Sequence, residues 1–510
     1  MSNLQSVSPT EIAFVDAGIA DSASLLSQFQ PGTEVHLLDS SQAAIAQITQ
    51  VLANRTDVSA VHLVSHGSSG TLQLGGETIA DLSEYKADLK LWSSSLTADA
   101  DILLYGCNVA ENADGKSFVN SLSQITGADV AASDDLTGLG GDWVLEYQTG
   151  TIETAAIADM AYQGTLANFF VTSTSDVVNA TDGVLTLREA ITNANTQAGT
   201  DNIFFSVNGT ITLTGGELGI SSDVNIYGNG APFLTISGNN ASRVFNISSG
   251  TVLLSGLTIA SSRVTGGGGG GIRNNGNLTV QFCTFSGNSA SNGSGIANFG
   301  TVTVNSSTFS NNSAVFGGGI DNFGSLTVNS STFSGNSASQ GGGILNDGSL
   351  TVNSSTFSGN SAGFGGGILN NRGTLTVNSS TFSGNSASNS GGGIANFGNL
   401  TVNGSYFLNN QASDNGGGIA QSIGTSTLIG NVISQNSATN QGGGVFSDSG
   451  TVYLQLNNIS SNTAPTGPDL FGAFVSGTST PGSFGFNVIG KGGGFTGIVN
   501  GVNGDVILVP

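Results

Sequence analysis

Charged residues are few in this chain of 510 residues: 8% of the sequence, with 10 basic against 33 acidic side chains and a formal net charge of −23. Residues 1–165 hold 21 acidic and 4 basic side chains, and the remainder holds 12 and 6. No basic patch is present, and an acidic surface repels a phosphate backbone. We therefore expect no nucleic-acid partner.

Cysteine, proline and long apolar runs are also scarce. The two cysteines, Cys107 and Cys283, lie in different halves of the chain, which excludes a disulfide framework. Seven prolines beside 78 glycines, with no G-x-y period, exclude collagen. No apolar run reaches the roughly 18 residues of a membrane span. The first ten residues have no basic or apolar signal region, so no secretory signal is visible.

Glycine, serine, asparagine, threonine and valine dominate instead, which is typical of short strands joined by tight turns. A chain of this length exceeds one hydrophobic core. We predict a disordered N-terminus (1–10), an α/β domain (11–153), a linker (154–167) and an all-β right-handed parallel β-helix (168–510). Clear repeats of 24–26 residues run over about 267–465 of that last segment.

The repeat unit reads G-G-G-I-x-N-x-G-x-L-T-V-N-S-S-T-F-S-G-N-S-A. Alternation within L-T-V sends Leu and Val to one face and Thr to the other. One unit cannot bury its apolar row, but stacked units bury a continuous column and hydrogen-bond along the axis. We therefore predict an internal Phe ladder and an Asn amide ladder. A leucine-rich or hexapeptide solenoid fits less well, because the unit lacks dense leucines and is not a multiple of six.

The segments G-G-G-I and F-S-G-N-S-A resemble the repeat of chlamydial polymorphic membrane proteins, which is found on bacterial surface proteins. Upstream, L-T-L-R-E-A-I-T-N-A-N (Leu185–Asn195) resembles the motif that opens the helix in many bacterial surface β-helices. The resemblance implies a pectate-lyase-like solenoid and a secreted or cell-surface location, with no signal peptide or anchor visible in the sequence.

The first domain alternates strand and helix patterns. Apolar runs at Ile12–Val15, Val35–Leu38, Val61–Val64, Ile102–Leu104 and Val130–Ala132 alternate with amphipathic stretches at 22–29, 41–53, 82–96 and 116–125. This order predicts a parallel sheet covered by helices on both faces. A hairpin of Trp143–Tyr147 and Thr151–Glu153, turning at Thr149–Gly150, is predicted to close the domain.

A histidine and a cysteine follow two of these strands. His66 stands just past Val61–Val64, and Cys107 just past Ile102–Leu104. If the strands are neighbours, both side chains project from one edge of the sheet, where ligands bind. A thiol there can act as the nucleophile with imidazole as proton carrier. Gly67 and Gly106 allow backbone N–H groups to approach an oxyanion.

This arrangement resembles the caspase-like cysteine peptidases, which include caspases, gingipains and CHAT domains, since His66-Gly67 and Cys107 follow successive strands. S-H-G, Y-G-C and G-G-D-W (ending at Gly67, Cys107 and Trp143) also resemble an uncharacterised domain at the N-terminus of large bacterial adhesins. The resemblance implies a cysteine endopeptidase with catalytic His66 and Cys107.

Structural interpretations compete with this one. A cysteine after an apolar strand is usually buried and inert, and His62 and His36 are expected to be core or supporting residues. Asp16, Asp39 and Asp134 stand at strand ends and are candidates for a substrate pocket, although helix capping or a solvated loop is favoured for them. Cys283 replaces a repeat serine in a turn. No His/Cys cluster has metal-ligand spacing, so neither metal nor cofactor is expected.

Three functions remain open from the sequence. The first is an adhesin-like surface protein with a cysteine endopeptidase head. The second is a non-enzymatic structural or adhesive repeat protein with a degenerate peptidase-like domain. The third is a polysaccharide-binding or polysaccharide-cleaving β-helix, for which the adjacent-coil pair Asp321 and Asp347 is the candidate carboxylate pair. The expected partners are therefore a protein or polysaccharide ligand on the β-helix surface.

Overall fold

The computed structural model describes residues 10–17, 19, 29, 32–39, 41–53, 55–75, 77–135, 137, 142–157, 168–179, 181–197, 199–477, 485–491 and 493–509. Contacts divide the chain into two compact units, one mainly of residues up to Phe170 and one mainly of residues from Val171. Most of the predicted disordered N-terminus (residues 1–9) and most of the predicted linker (158–167) lie outside the described residues.

The first unit contains the strands β1 (Thr10–Asp16), β2 (Glu34–Leu38), β3 (Val58–Val64), β4 (His66–Ser68), β5 (Thr71–Leu74), β6 (Glu77–Ile79), β7 (Leu96–Tyr105), β8 (Asp129–Ala132) and β9 (Tyr147–Gln148). Six of them form a mixed sheet of order β2-β1-β3-β7-β8-β9, in which the pairs from β2 to β8 are parallel and β9 is antiparallel to β8. Strands β4 to β6 form a separate antiparallel hairpin sheet. The described helices are α1 (Ala44–Leu52), α2 (Lys86–Trp92) and α3 (Ala113–Thr126).

The alternating pattern along β7 separates two apolar clusters on opposite faces of this sheet. Ile102 and Leu104 belong to one cluster, into which α1, α2 and α3 bury their apolar side chains. Leu103 and Tyr105 belong to the other, with Trp143 and Leu145. The described helices thus pack on one face, and the predicted helix at 22–29 lies almost wholly outside the described residues.

Two local predictions for this unit are wrong. Tyr147–Gln148 pairs with β8, through Ala131 and Ala132, and not with Thr151–Glu153, which is not a strand. The helix predicted over 82–96 is confined to Lys86–Trp92, because the chain from Leu96 is already strand β7. The hairpin sheet β4 to β6 was not predicted, since its three short strands carry no long alternating pattern.

The second unit is a large parallel β-solenoid. Its coils place strands on three long faces, and every pairing within these faces is parallel. Face A, the I-x-N strands, comprises Leu218–Ile220, Phe245–Ile247, Ile272–Asn274, Ile296–Asn298, Ile320–Asn322, Ile344–Asn346, Ile368–Asn370, Ile394–Asn396, Ile419–Gln421 and Val445–Ser447. Face B, the L-T-V strands, comprises Thr251–Ser255, Asn277–Gln281, Thr301–Asn305, Ser325–Asn329, Ser349–Asn353, Thr374–Asn378, Asn399–Asn403, Thr425–Ile429 and Thr451–Gln455.

Face C carries the T-F-S strands. It comprises Gly209–Thr212, Leu234–Ser237, Thr258–Ala260, Thr284–Ser286, Thr308–Ser310, Thr332–Ser334, Thr356–Ser358, Thr381–Ser383, Tyr406–Leu408, Val432–Ser434, Asn458–Ser460, Val488–Lys491 and Val506–Val509. Shorter strands at a fourth corner are Ser289–Asn292, Ser313–Phe316, Ser361–Ala362, Ser386–Ala387, Gln411–Ala412 and Ser437–Ala438. The remaining elements are helix α4 (Leu187–Ala194) and strands Asn168–Val171, Asp201–Phe205, Val224–Tyr227, Leu470–Ser476 and Phe495–Thr496. The predicted parallel β-helix is confirmed, and its right-handed winding stays a prediction.

Stacked rings fill the interior behind face C. Six phenylalanines from Phe285 to Phe407 are fully buried. Successive rings lie 4.4–4.8 Å apart with interplanar angles of 1–4°. The rings are buried and stacked face to face, which confirms the inward Phe ladder.

Amide side chains form continuous ladders at the corners. Each Asn from Asn288 onward donates through Nδ2 to Oδ1 of the next coil, and Asp469 accepts the last of these bonds, from Asn462, at 2.8 Å. A second ladder runs from Asn274 to Gln421. These bonds satisfy buried polar groups at the turns, as the sequence predicts.

The glycine triplets leave no room for a side chain at the coil corner. A Cβ on Gly343 would lie 2.6 Å from the Gly367 carbonyl oxygen and 2.9 Å from Cδ1 of Phe357. We expect Gly343→Ala to lower the urea midpoint of the solenoid, at a cost of about 1–3 kcal/mol from overpacking. Gly219→Ala is the matched control, because its Cβ would meet no atom within 4 Å. Equal midpoints for the two variants would contradict this account.

Candidate functional site

His66 and Cys107 follow neighbouring parallel strands. Val64 of β3 is paired with Tyr105 of β7, and the N–H of Ser65 donates to the Tyr105 carbonyl at 3.2 Å. Both residues therefore leave the same edge of the sheet, as the sequence analysis requires. His66 is the first residue of β4, where it pairs with Gln73, and its side chain is only 2% exposed.

The two glycine-containing turns pack backbone against backbone. A Cβ on Gly67 would lie 2.9 Å from the carbonyl carbon of Gly106 and 3.0 Å from the carbonyl oxygen of Cys107. It would also lie 2.7 Å from Cγ2 of Val109. Gly67 is thus required by close packing between the turns, and an oxyanion-binding role for Gly67 and Gly106 stays a prediction.

The thiol of Cys107 is enclosed. Its side chain is 1% exposed and packs in the apolar cluster that contains Tyr105, Trp143 and Leu145. The sulfur accepts a hydrogen bond from the N–H of Thr137 at 3.1 Å and lies 3.5 Å from the Thr137 carbonyl oxygen. In this conformation the sulfur does not face solvent, which a peptide-cleaving nucleophile must do.

The other two histidines make contacts that are typical of residues supporting the fold. The Nδ1 atom of His62 lies 3.3 Å from the Tyr105 hydroxyl oxygen. Burial lowers the pKa of His62 to about 4, so its ring is neutral near pH 7. His36 contacts the Glu34 carboxylate at 2.8 Å, and the guanidinium of Arg55 contacts the same carboxylate at 2.6 Å. Both arrangements agree with the core and supporting roles expected for these residues.

The three predicted pocket aspartates lie at or just past the ends of separate strands, and each takes part in a hydrogen bond. Asp16, 1% exposed, accepts a hydrogen bond from the N–H of Gly75 at 3.2 Å. Asp39 accepts bonds from the backbone and hydroxyl of Ser41, which lower its pKa. The N–H of Asp134 donates to the Glu146 carboxylate at 3.0 Å. These contacts fit loop and turn roles, and their use as a substrate pocket stays a prediction.

Two cavities of the first unit are lined by residues other than the predicted dyad and these aspartates. One, of about 370 Å³, is mainly apolar and is lined by residues that include Leu103, Trp143 and Ile157. The other, of about 510 Å³, lies beside the hairpin sheet and α3 and is lined by residues that include Ser69, Lys86 and Phe118. Neither is lined by His66 or Cys107.

One group of carboxylates was missed by sequence reasoning. Carboxylate oxygens of Asp135, Asp142 and Glu146 lie within 4.8 Å of one another at the protein surface. Burial is the main cause that raises the pKa of Asp135 and of Glu146, and the neighbouring negative charges raise it further. The sequence places acidic residues on both sides of G-G-D-W, but it does not show that the fold brings Asp135 beside Asp142.

The solenoid carboxylates are not arranged as an exposed catalytic pair. Asp321 is fully buried, and its Oδ2 accepts a hydrogen bond from Asn292 at 2.8 Å. Asp347, one coil farther on, accepts from Asn371 at 2.8 Å. Since the carboxyl of Asp321 is enclosed, this pair does not present two groups to a glycan.

The described helices are too short or too polar to cross a bilayer.

The fold therefore defines a repeat solenoid combined with a small α/β unit. Residues 12–168 match the family model described as a domain of unknown function, DUF4347. Residues 330–347 and 379–396 match the Chlamydia polymorphic membrane protein repeat. These matches agree with the resemblances to an uncharacterised domain and to the surface-protein repeat, and they include no caspase-like family.

Other comparisons are weaker. No curated protein matches the chain. Among solved structures, the crystal structure of pectate lyase Pel9A aligns with 12% identity and a TM-score of 0.28, covering 65% of this chain and 77% of that one.

Proposed function

We propose that this chain is a bacterial cell-surface or secreted adhesin-like protein, in which the solenoid is a stiff stalk and adhesive surface and the first unit is a non-catalytic head. The observation that carries the proposal is the unbroken stack of in-register coils with interior ladders, in a region that matches a surface-protein repeat. Each coil contacts mainly its neighbours, so stiffness comes from repetition of one interface.

Two further features support a stalk in preference to an enzyme. The interior of the repeats is occupied by side chains that are fully buried, which leaves the outer faces as the accessible surface of these coils. The acidic residues of the repeats are few, and Asp321 is enclosed. A polysaccharide or protein ligand would therefore meet the outer faces of the coils, where hydroxyl and amide groups predominate.

The proposal is tested by measuring both exposure and adhesion of the full chain. Intact cells that produce it are treated with a protease and probed with antibodies against the solenoid, and purified protein is assayed for binding to cells and to immobilised polysaccharide. We expect solenoid epitopes to be removed by the protease and binding to be unaffected by Cys107→Ser. Epitopes that are protected until the cells are lysed would refute a surface role.

A peptidase head is the second candidate, and one observation favours it: the turns that carry His66 and Cys107 touch. Activity would require the Thr137 backbone to move off the sulfur, since it contacts the sulfur on both its N–H and carbonyl sides. Loss of a defined cleavage product in both Cys107→Ala and His66→Ala would establish this candidate. Identical processing in parent and variants would eliminate it.

Thiol labelling gives a direct prediction on the head. Both cysteines are buried, and burial raises the pKa of Cys283 to about 12. We expect both to react with a thiol reagent on the order of 100-fold more slowly in the native protein than in denaturant, because a buried thiol rarely forms an accessible thiolate. One rapidly labelled thiol that disappears in Cys107→Ser would instead show that the head opens.

A further inference from the structure

The outer side of face B is an ordered array of uncharged polar groups. Its central position is threonine in seven successive coils: Thr279, Thr303, Thr327, Thr351, Thr376, Thr401 and Thr427. The preceding outward position varies among Asn, Ser and Thr. Strand propensity alone would also admit Val, Ile or Tyr at the central position, so its uniformity calls for a further explanation.

The array is in register and evenly spaced. Pairing across face B is in strict register from Asn277–Gln281 to Asn399–Asn403, with no shift. The rings stacked behind face C lie 4.7 Å apart with interplanar angles of 2–4°, so adjacent coils are evenly spaced along the axis. The array therefore repeats at the same interval from coil to coil.

The edge of the array is held in place by a third amide ladder on the outside. Asn329 donates to Asn305, Asn353 to Asn329, Asn378 to Asn353 and Asn403 to Asn378, each at 2.9 Å. These bonds immobilise the amides, and β-branched threonine has few rotamers. The polar groups are thus fixed before any ligand arrives, which lowers the entropic cost of binding.

The absence of charge on this surface restricts the class of ligand that it can bind. The chain has a net charge of −23, yet face B has no charged residue between Asn277 and Ile429. Each threonine hydroxyl can donate one hydrogen bond and accept up to two, and the threonine methyl group presents apolar surface. Such a surface matches an uncharged ligand that repeats in two dimensions, at about 4.7 Å along the axis and about 6.6 Å along each strand.

We propose that face B, from Asn277 to Ile429, is an ice-binding surface. Hexagonal ice is an uncharged lattice with an oxygen repeat close to the coil spacing along one axis, and with a perpendicular repeat somewhat longer than the backbone repeat along each strand. The threonine and amide groups take the place of water molecules in the lattice, and the in-register face adsorbs over several coils at once. This inference goes beyond the proposed stalk and does not depend on it.

The test uses the full chain and two matched variants. Thr351→Tyr places a ring in the middle of the array, and Thr356→Tyr makes the same change on face C. The solenoid already accepts tyrosine in both columns, since Tyr453 is paired with Thr427 and Tyr406 with Thr381. Thermal hysteresis, crystal shape and partition into growing ice are measured, and circular dichroism and urea midpoints verify folding.

We expect the parent to shape ice crystals and Thr351→Tyr to reduce partition into ice by about tenfold, which corresponds to about 1.4 kcal/mol of binding free energy. Thr356→Tyr should match the parent. If Thr351→Tyr fails to fold, Thr327→Tyr in the same column replaces it. A parent that neither shapes crystals nor enters ice, or equal behaviour of the face B and face C variants, would overturn the proposal.

Discussion

Replacing Phe333 by Ala is expected to cost the solenoid about 3–5 kcal/mol, because the surrounding coils cannot close the resulting cavity. Phe333 is fully buried and stacks at 4.7 Å on Phe309 and on Phe357, so the substitution interrupts the ladder on both sides. The measurement is the urea unfolding transition, followed by circular dichroism. A second, earlier transition is expected if the two halves of the stack unfold separately.

Thr327→Ala is the control for this prediction. Thr327 lies on the outer side of face B, in the same coil, between the inward Leu326 and Val328. A surface substitution of this kind usually changes stability by less than about 0.5 kcal/mol. Equal losses in the two variants would contradict an inward Phe ladder as the main stabilising feature of the coil.

Asp321→Leu is expected to stabilise the solenoid, and more strongly at pH 8 than at pH 4. Asp321 occupies the face A position that Leu345 and Leu369 occupy in the next coils. Burial, aided by the charge of Asp347, raises the pKa of Asp321 from 3.8 to about 7. The folded state therefore holds this proton more tightly than the unfolded state does.

The sign of the pH dependence follows from that difference. The stabilising effect of protonated Asp321 is complete below about pH 4 and is lost as the pH rises through about 7. A shift of three pKa units corresponds to an upper value of about 4 kcal/mol at pH 8. Urea midpoints of parent and variant at both pH values test this, with Asp448→Asn, an exposed carboxylate, as a control. A gain that does not change with pH would refute the assignment.

The repeat region was predictable because the same inward, outward and turn positions recur in successive coils. Phe333 is inward for the same reason as Phe309 and Phe357, so the period fixes its environment before any coordinate is known. Asn336 likewise takes its place in an amide ladder. What the period does not predict is an exception such as Asp321, whose enclosure depends on Asn292 from the preceding coil.

The first unit was less predictable because each of its contacts occurs only once, so no repeat in the sequence reveals it. The adjacency of β3 and β7 follows from alternating strands and helices, but the burial of Cys107 depends on Thr137, thirty residues away. The hairpin that begins at His66 has strands of three or four residues, too short for a periodic signal. The glycines beside His66 and Cys107 correctly predicted a close approach of two backbone segments. In the structure this close approach packs the two turns against each other.

Two of the interior amide columns run in one direction and close on carboxylates. In the column that begins at Asn288 and in the column from Asn431 to Asn487, each amide donates to the following coil, and the last donors bond to Asp469 and to Asp505. Any coil between the ends can therefore replace any other, while the terminal coils cannot be exchanged with internal ones. A gene of this kind can lengthen or shorten by recombination between its near-identical repeats, in steps of one coil, and each product still has a donor for every acceptor. The length of the solenoid can thus evolve by copy number alone.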